Sequence, residues 1–399
     1  MGGAMLTAAP PPPDADEIAH GERVAAALRA RIAAGHGWIP FREFMETALY
    51  SPGLGYYVTP RALFGAAGDF VTAPELSPLF AACLANGIAG LLAKSDGGDV
   101  VEFGAGSGVL AVELLPALQR LGAQVTRYRI VEPSPVLAAR QRERIGHDPR
   151  LAALRDRFEW LEAAPAGQWR GVAFANEVVD ALPVDRFRVT AGGCEAIGVI
   201  EAGDAFAFAP GAAGAALAAA VESLQGALPA PMPAGYVSEL RPGQRGWLAG
   251  AAQGLSRGAI LVVDYGLPRA QYYHPSRDGG TLCGFRRHRR VADALANPGL
   301  QDLTAWVDYS ALAADGAAFG LAMGGFATQA HYLLDTGIER ELAYLAESVD
   351  DAARRALKQD AATMLLPGEM GERFKAMALA REICGPFPGF GFRNLAASL

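Results

Sequence analysis

EFGAGSG, residues 102–108, follows the apolar pair Val100-Val101 and runs directly into VLAVELL. Glycine loses more backbone freedom on folding than any other residue. Glycines at 104, 106 and 108 therefore imply a chain that must bend tightly or lie close to something. A strand ending at Phe103, a glycine turn and a helix opening near Ser107 put this loop beyond the carboxyl end of a strand. Open α/β sheets bind their ligands there, and the first amides of the helix add partial positive charge.

Working outward, strands and helices alternate from residue 99: DVVEF, the amphipathic SGVLAVELLPALQRLG, RYRIVEP, SPVLAARQRERIG, RFEWL, GVAFANE, and GAILVVDYG at 258–266. Ser134 and Pro135 are good opening residues for the second of these helices. Such alternation builds a parallel sheet with helices on both faces. Beyond it the pattern predicts a helix near 310–319, a strand in GFATQAHYLL, a helical stretch over 338–360 and a last strand in FKAMALARE. Ahead of it, apolar spacing of three and four predicts helices over 15–34, 40–50 and 76–94.

Hydrophobic residues are 51% and charged residues 19% of the 399, so a large buried core is expected. The formal charge of −7 argues against nucleic acid and against anionic membrane, which need a basic footprint. The scattered cysteines Cys83, Cys194, Cys283 and Cys384 form no CxxC, and the histidines show no paired ligand spacing. Neither a metal site nor a disulfide framework is expected, and a reducing cytoplasm fits. MGGAMLTAAPPPPDADE has no basic or apolar leader region and carries Asp14, Asp16 and Glu17, so it reads as a disordered tail. An insertion at about 185–257 begins as a hairpin in FRVTAGGCEAIGVIEAGDAFAFA, and AFAFAPGAAGAALAAAV, residues 205–221, is too short and weakly apolar to span a membrane and reads as a loop and a surface helix.

The glycines themselves narrow the ligand. A dinucleotide fingerprint GxGxxG needs a small residue where Val109 stands, and a P-loop needs a lysine that does not follow. S-adenosylmethionine carries no phosphate, needs close backbone approach, and has a cationic ammonium and two ribose hydroxyls. Glu102, beside the glycines, is placed for the ammonium. Glu132, at the tip of the next strand, is the natural acceptor for the hydroxyls. Read as surface chemistry instead, Glu102 would be an ordinary acid, Glu132 a helix cap, and Gly108 a site of close helix packing. Gly104, Gly106, Gly108, Glu102 and Glu132 are the candidate cofactor residues.

FANEVVDALP, residues 174–183, delivers Asn176, Glu177 and Asp180 to the same rim. Methyl transfer to a guanidinium asks for carboxylates that grip its other nitrogens and orient the reacting one. Glu177 and Asp180 are the candidate catalytic residues; Asp180 could instead cap the turn into Ala181-Leu182-Pro183. Asn176 is counted with the cofactor residues, and would be the more useful partner of an amide acceptor. Tyr265, in Asp264-Tyr265-Gly266, is the candidate substrate residue, an ordinary buried tyrosine being the alternative. CGFRRHRRVADAL packs basic residues into 286–290, read as a solvated loop leading into a helix or as a docking site for an acidic partner.

EFGAGSG, IVEPSP, FANEVVDALPVDRF, LVVDYG and QDLTAWVDYSAL, with FREFMETALYSPGLGYY and GDFVTAPELSP ahead of them, occur in an order that resembles the MidA-like family over about residues 15–395. Members are class I S-adenosylmethionine-dependent methyltransferases, and the mitochondrial ones are complex I assembly factors that dimethylate a protein arginine. The resemblance implies an α/β, Rossmann-like fold with a seven-stranded, mostly parallel sheet and one antiparallel strand. It also implies a tail at 1–14 and an N-terminal helical segment at 15–95 covering the cofactor site. A methyltransferase domain at 96–399 would carry insertions at about 185–257 and 335–365. Thr72 would lie near the methionine end of the cofactor. The expected activity is methylation of a protein side chain, arginine first, by a bacterial-type cytoplasmic enzyme. A small-molecule methyltransferase, a non-catalytic assembly factor and a nicotinamide-dependent oxidoreductase stay open.

Overall fold

The computed structural model describes residues 10–59 and 72–399. Most of the tail expected at 1–14, and GDFV ahead of Thr72, lie outside those residues. The chain folds as two compact units. One comprises the described parts of Met1–Phe70 with Asp180–Gln244 and Leu267–Asp308. The other comprises Val71–Val179, Arg245–Gly266 and Tyr309–Leu399.

The second unit holds the glycine loop. Its strands are β1 (Gly98–Phe103), β2 (Val125–Val131), β3 (Phe158–Leu161), β4 (Trp169–Asn176), β5 (Leu255–Leu267), β6 (Ala322–Thr328) and β7 (Phe374–Arg381). They form one hydrogen-bonded path in the order β6-β7-β5-β4-β1-β2-β3. From β5 to β3 all neighbours are parallel, while β7 runs antiparallel to both β5 and β6. The sheet is mixed and counts eight strands, one more than expected. Every residue of β1 is buried, the pattern of a strand covered on both faces.

Helices of this unit include α1 (Ala73–Leu76), α2 (Pro78–Lys94), α3 (Val109–Arg120), α4 (Pro135–His147), α5 (Tyr309–Ala318), α6 (Gln329–Asp335), α7 (Ile338–Glu347) and α8 (Asp351–Leu365). A single core cluster joins Val100, Tyr128, Phe174 and Leu261 of the sheet to Leu84, Leu115, Ile145, Leu333 and Met364 of the helices. Truncating such a residue to alanine costs about 2–5 kcal/mol. PLFAACLANGIAGLLAK is buried along most of its length, which is why α2 belongs with the sheet and not with the segment 15–59. The sequence-based boundary at 95 thus cuts through a packed unit.

Three local expectations change. GFATQAHYLL is only half strand: Thr328 accepts a hydrogen bond from the His331 amide and so starts α6. The helical stretch 338–360 is two helices, since Asp350 caps α8 through the Ala353 amide. The start of the stretch 205–221 is the strand Ala205–Ala212, followed by the helix Ala215–Gly226.

The first unit is largely antiparallel. Its five-stranded sheet runs Ile39–Pro40, Gly193–Ala202, Asp185–Thr190, Val237–Leu240, with Ala205–Ala212 pairing beside Gly193–Ala202. The helices Ala15–Ala34 and Phe41–Tyr50 share a core with Val199 and Leu303. Asp14 and Glu17 cap the first of them reciprocally. The basic stretch 286–290 is no solvated loop. Cys283–Arg286 and Arg289–Val291 are a hairpin whose turn puts Arg287 (φ 49°) and His288 (φ 60°) in the left-handed region. Arg286 is buried and ion-paired with Glu17, and Arg287 pairs with Glu17 at 3.2 Å. Among the described residues no helix is long and apolar enough to cross a membrane.

Candidate active site

β1 ends in Phe103 and the chain turns through three glycines, all with positive φ: Gly104 (64°), Gly106 (54°) and Gly108 (79°). At Gly104 a Cβ would meet Val178 Cγ2 at 2.9 Å, and at Gly108 one would meet Gln141 Cγ at 3.2 Å. Side chains are thus excluded by backbone conformation and by space together. Gly104 is exposed and Gly106 half-buried, so the loop offers bare backbone to a ligand. Ser107 sits between the last two glycines, and its hydroxyl donates a hydrogen bond to Glu75 of α1. Thr72 immediately precedes α1, half-buried, and its side chain makes no cap bond to that helix.

At the tip of β2, Glu132 is 6% exposed. One carboxylate oxygen accepts the Ser134 amide at 3.0 Å and the other accepts Gln141 Nε2 at 3.0 Å. Burial raises its pKa, and both donors pull it back by favouring the charged form. Each oxygen keeps a lone pair, so two ribose hydroxyls can still be accepted.

Gln141 was not anticipated. It is fully buried on α4; its amide also donates to the Gly106 carbonyl at 3.0 Å, and its oxygen accepts Trp160 Nε1 at 3.1 Å. One side chain therefore ties the glycine loop to the strand-tip acid. Its trace in the sequence is a lone amide on the apolar face that Leu137, Ala138 and Ile145 define.

Glu102 has a different setting. It is 3% exposed, its carboxyl accepts the Tyr128 hydroxyl at 2.8 Å, and burial, helped by the charge of Glu132, pushes it up to about 8. Burial thus favours its neutral form, and the side chain faces the Tyr128 hydroxyl inside the sheet.

β4 delivers Asn176 and Glu177, both half-buried, at the same carboxyl rim. The Asn176 side-chain amide donates to Glu177 Oε1 at 3.2 Å, and the Glu177 backbone amide donates to the Val263 carbonyl of β5 at 2.9 Å. Glu177 has φ 53°, an uncommon region for a long unbranched side chain. Asp264, buried in β5, holds the turn from below by accepting the amides of Val179 and Tyr265 at 3.0 and 2.9 Å. Tyr265 is half-buried, its ring edge-on to Phe374 with centroids 5.3 Å apart.

Asp180 belongs to the first unit and is 4% exposed. Its carbonyl accepts Arg241 Nη2 at 3.2 Å and the Ala305 amide at 3.2 Å. Arg241 also donates to the carbonyls of Leu182 and Trp306, a clamp invisible to short-range sequence reading. Burial and the nearby carboxylates of Asp302 and Asp180 raise the pKa of Tyr57 well above its ordinary value. Among the described residues no cluster of His, Cys, Asp or Glu could hold a metal ion.

Comparison with known proteins meets this geometry. Residues 81–327 match the family described as "Putative S-adenosyl-L-methionine-dependent methyltransferase". The chain is 30% identical over 373 residues to "Protein arginine methyltransferase NDUFAF7, mitochondrial" of Danio rerio, covering 85% of this chain and 82% of that protein. Its Homo sapiens counterpart is also 30% identical, with 86% and 80% covered. A Burkholderia thailandensis protein solved with S-adenosyl-homocysteine superposes with a TM-score of 0.89 at 38% identity, over 98% of this chain and 100% of that one. The nicotinamide-dependent and non-catalytic readings fall here, and the cofactor is S-adenosylmethionine. A bare-glycine loop tied to a strand-tip carboxylate, on a mixed α/β sheet, places this chain in the MidA-like family of class I S-adenosylmethionine-dependent methyltransferases.

Proposed function

We propose that the enzyme methylates a protein side chain, arginine first. Gly104, Gly106, Gly108 and Glu132 are the residues we assign to the nucleoside, with Thr72 and Asn176 toward its methionine end. The fit rests on two glycine positions with left-handed backbones, where a Cβ would be crowded, and on the open lone pairs of Glu132. Bound there, S-adenosylmethionine supplies an electrophilic methyl group on a sulfonium.

The observation that carries the arginine reading is the backbone of Glu177. A glutamate held at φ 53° at a strand's carboxyl end, its carboxylate tethered by Asn176, is a strained residue kept for the direction in which it aims. A guanidinium is a poor nucleophile while its charge is delocalised. Carboxylates accepting from its other nitrogens would localise a lone pair on the reacting one and receive the proton it sheds. Glu177 and Asp180 are assigned that grip, and Tyr265 a place beside the acceptor. The names of the curated relatives support the same acceptor. The four unpaired thiols, Cys83, Cys194, Cys283 and Cys384, suit a reducing compartment, and we place the enzyme in the cytoplasm.

The test is labelling of a lysate with methyl-labelled cofactor, followed by acid hydrolysis and amino-acid analysis. Methylarginine is expected with the wild type and is expected to vanish with Glu177→Gln. Label confined to small molecules, or to another side chain, would replace the acceptor and leave the cofactor site standing.

A further inference from the structure

S-adenosylmethionine ends in an amino acid, so its site needs acceptors for the ammonium as well as for the ribose, and a carboxylate is the strongest acceptor for a cation. Among the described residues, Glu102 directly precedes the glycine turn, Glu132 is joined to it through Gln141, and a further acid is bonded to its Ser107. Glu132 is committed to the tip of β2 by Ser134 and Gln141. Glu102 is sealed behind the turn, 3% exposed against Tyr128. The third is Glu75.

We propose that Glu75, and not Glu102, is the carboxylate presented to the cofactor's ammonium, with Ser107 coupling it to the glycine loop. The assignment rests on the cofactor site proposed above. Glu75 lies on α1 and is only half-buried, so a ligand or water can reach it. The Ser107 hydroxyl accepts the Val109 amide at 3.3 Å, which directs its own proton to Glu75 Oε1. Among the described residues the second oxygen of Glu75 has no other partner. The carboxylate is thus fixed beside Gly106 and Gly108 by one oxygen and able to accept with the other. A carboxylate so held can accept directly from an ammonium. Glu102, 3% exposed and bonded to the Tyr128 hydroxyl, belongs to the sheet's interior instead.

The experiment uses two probes that differ only at the amino-acid end: S-adenosylhomocysteine, which carries the ammonium, and 5′-methylthioadenosine, which lacks the whole amino-acid group. Affinities are measured calorimetrically for the wild type, Glu75→Gln, Ser107→Ala and Glu102→Gln. Glu75→Gln is expected to weaken S-adenosylhomocysteine by about 10- to 100-fold, the range of a hydrogen bond to a charged group, and to leave methylthioadenosine within about twofold. Ser107→Ala should act in the same direction by a smaller factor, and Glu102→Gln should leave the ratio of the two affinities unchanged. Equal losses for both probes in Glu75→Gln, no loss for either, or a changed ratio in Glu102→Gln would overturn the assignment. If the wild type bound neither probe, the cofactor site itself would fall and this assignment with it, an outcome distinct from selective failure of Glu75.

Discussion

Two glutamates stand near the carboxyl ends of neighbouring parallel strands of one sheet, and the fold treats them differently. Glu102, the last residue but one of β1, meets one hydroxyl donor and is pushed up to about 8 by burial. Glu132, at the tip of β2, is buried almost as deeply, yet a backbone amide and a carboxamide converge on it. Burial raises both acids, but two donors hold Glu132 back where Glu102 has a single hydroxyl. A strand tip therefore supplies only the location of an acid. The local donors decide what it is for.

The largest expected effect sharpens this contrast by titration. Below about 4.5 Glu102 is protonated in folded and unfolded chains alike; between there and about 8 the unfolded chain ionises and the folded one does not. The folded state then binds more protons, so stability falls as pH rises through that window. Glu102→Gln should remove the decline and be more stable than the wild type near pH 9 by about 3–5 kcal/mol, read from denaturant unfolding at several pH values. Parallel pH profiles would show that the carboxyl is ionised in the fold.

The next effect breaks the loop that joins the two tips. Gly104→Ala combines a left-handed backbone with a contact at 2.9 Å to Val178. S-adenosylhomocysteine affinity should fall on the order of a hundredfold, with secondary structure by circular dichroism retained. Undiminished binding would mean the turn does not approach the nucleoside.

Glu132→Ala tests the other half of the pair. Calorimetry should show a loss of about 1.5–3 kcal/mol in S-adenosylhomocysteine binding, where Glu102→Gln costs almost nothing. Comparable losses in the two would erase the distinction between the tips. The smallest effect belongs to Gln141→Leu, which removes donors from Glu132 and Gly106 and leaves Trp160 Nε1 without its acceptor. Thermal unfolding should register about 1–2 kcal/mol of lost stability, with a few-fold weaker nucleoside binding. A tight binder that melts early would reduce Gln141 to a packing role.

What could be read from the sequence was what neighbours along the chain determine. β1, the glycine turn and α3 are contiguous, and Val100-Val101 followed by spaced glycines signals them directly. Glu132 was legible because strand period and the following Ser134-Pro135 fix where β2 stops. Glu75 and Ser107 meet across 32 positions, and Arg241 reaches Asp180 across 61, so no local pattern announces either. The basic hairpin was missed for a different reason. Its turn is made by Arg287 and His288, where such tight turns favour Asn-Gly, and the pairing of Arg286 with Glu17 overrides that preference. The burial of Glu102 was equally hidden, since only the Tyr128 side chain on the next strand reveals it.

Gln141 gives this arrangement a constraint on how its sequence can drift. Because one carboxamide spans the Gly106 carbonyl and the Glu132 carboxylate, shortening position 132 to aspartate would strand an amide hydrogen in the interior. Substitution at 132 and at 141 should therefore travel together across related chains, and a designer refitting the enzyme to a synthetic nucleoside would have to recode both codons at once.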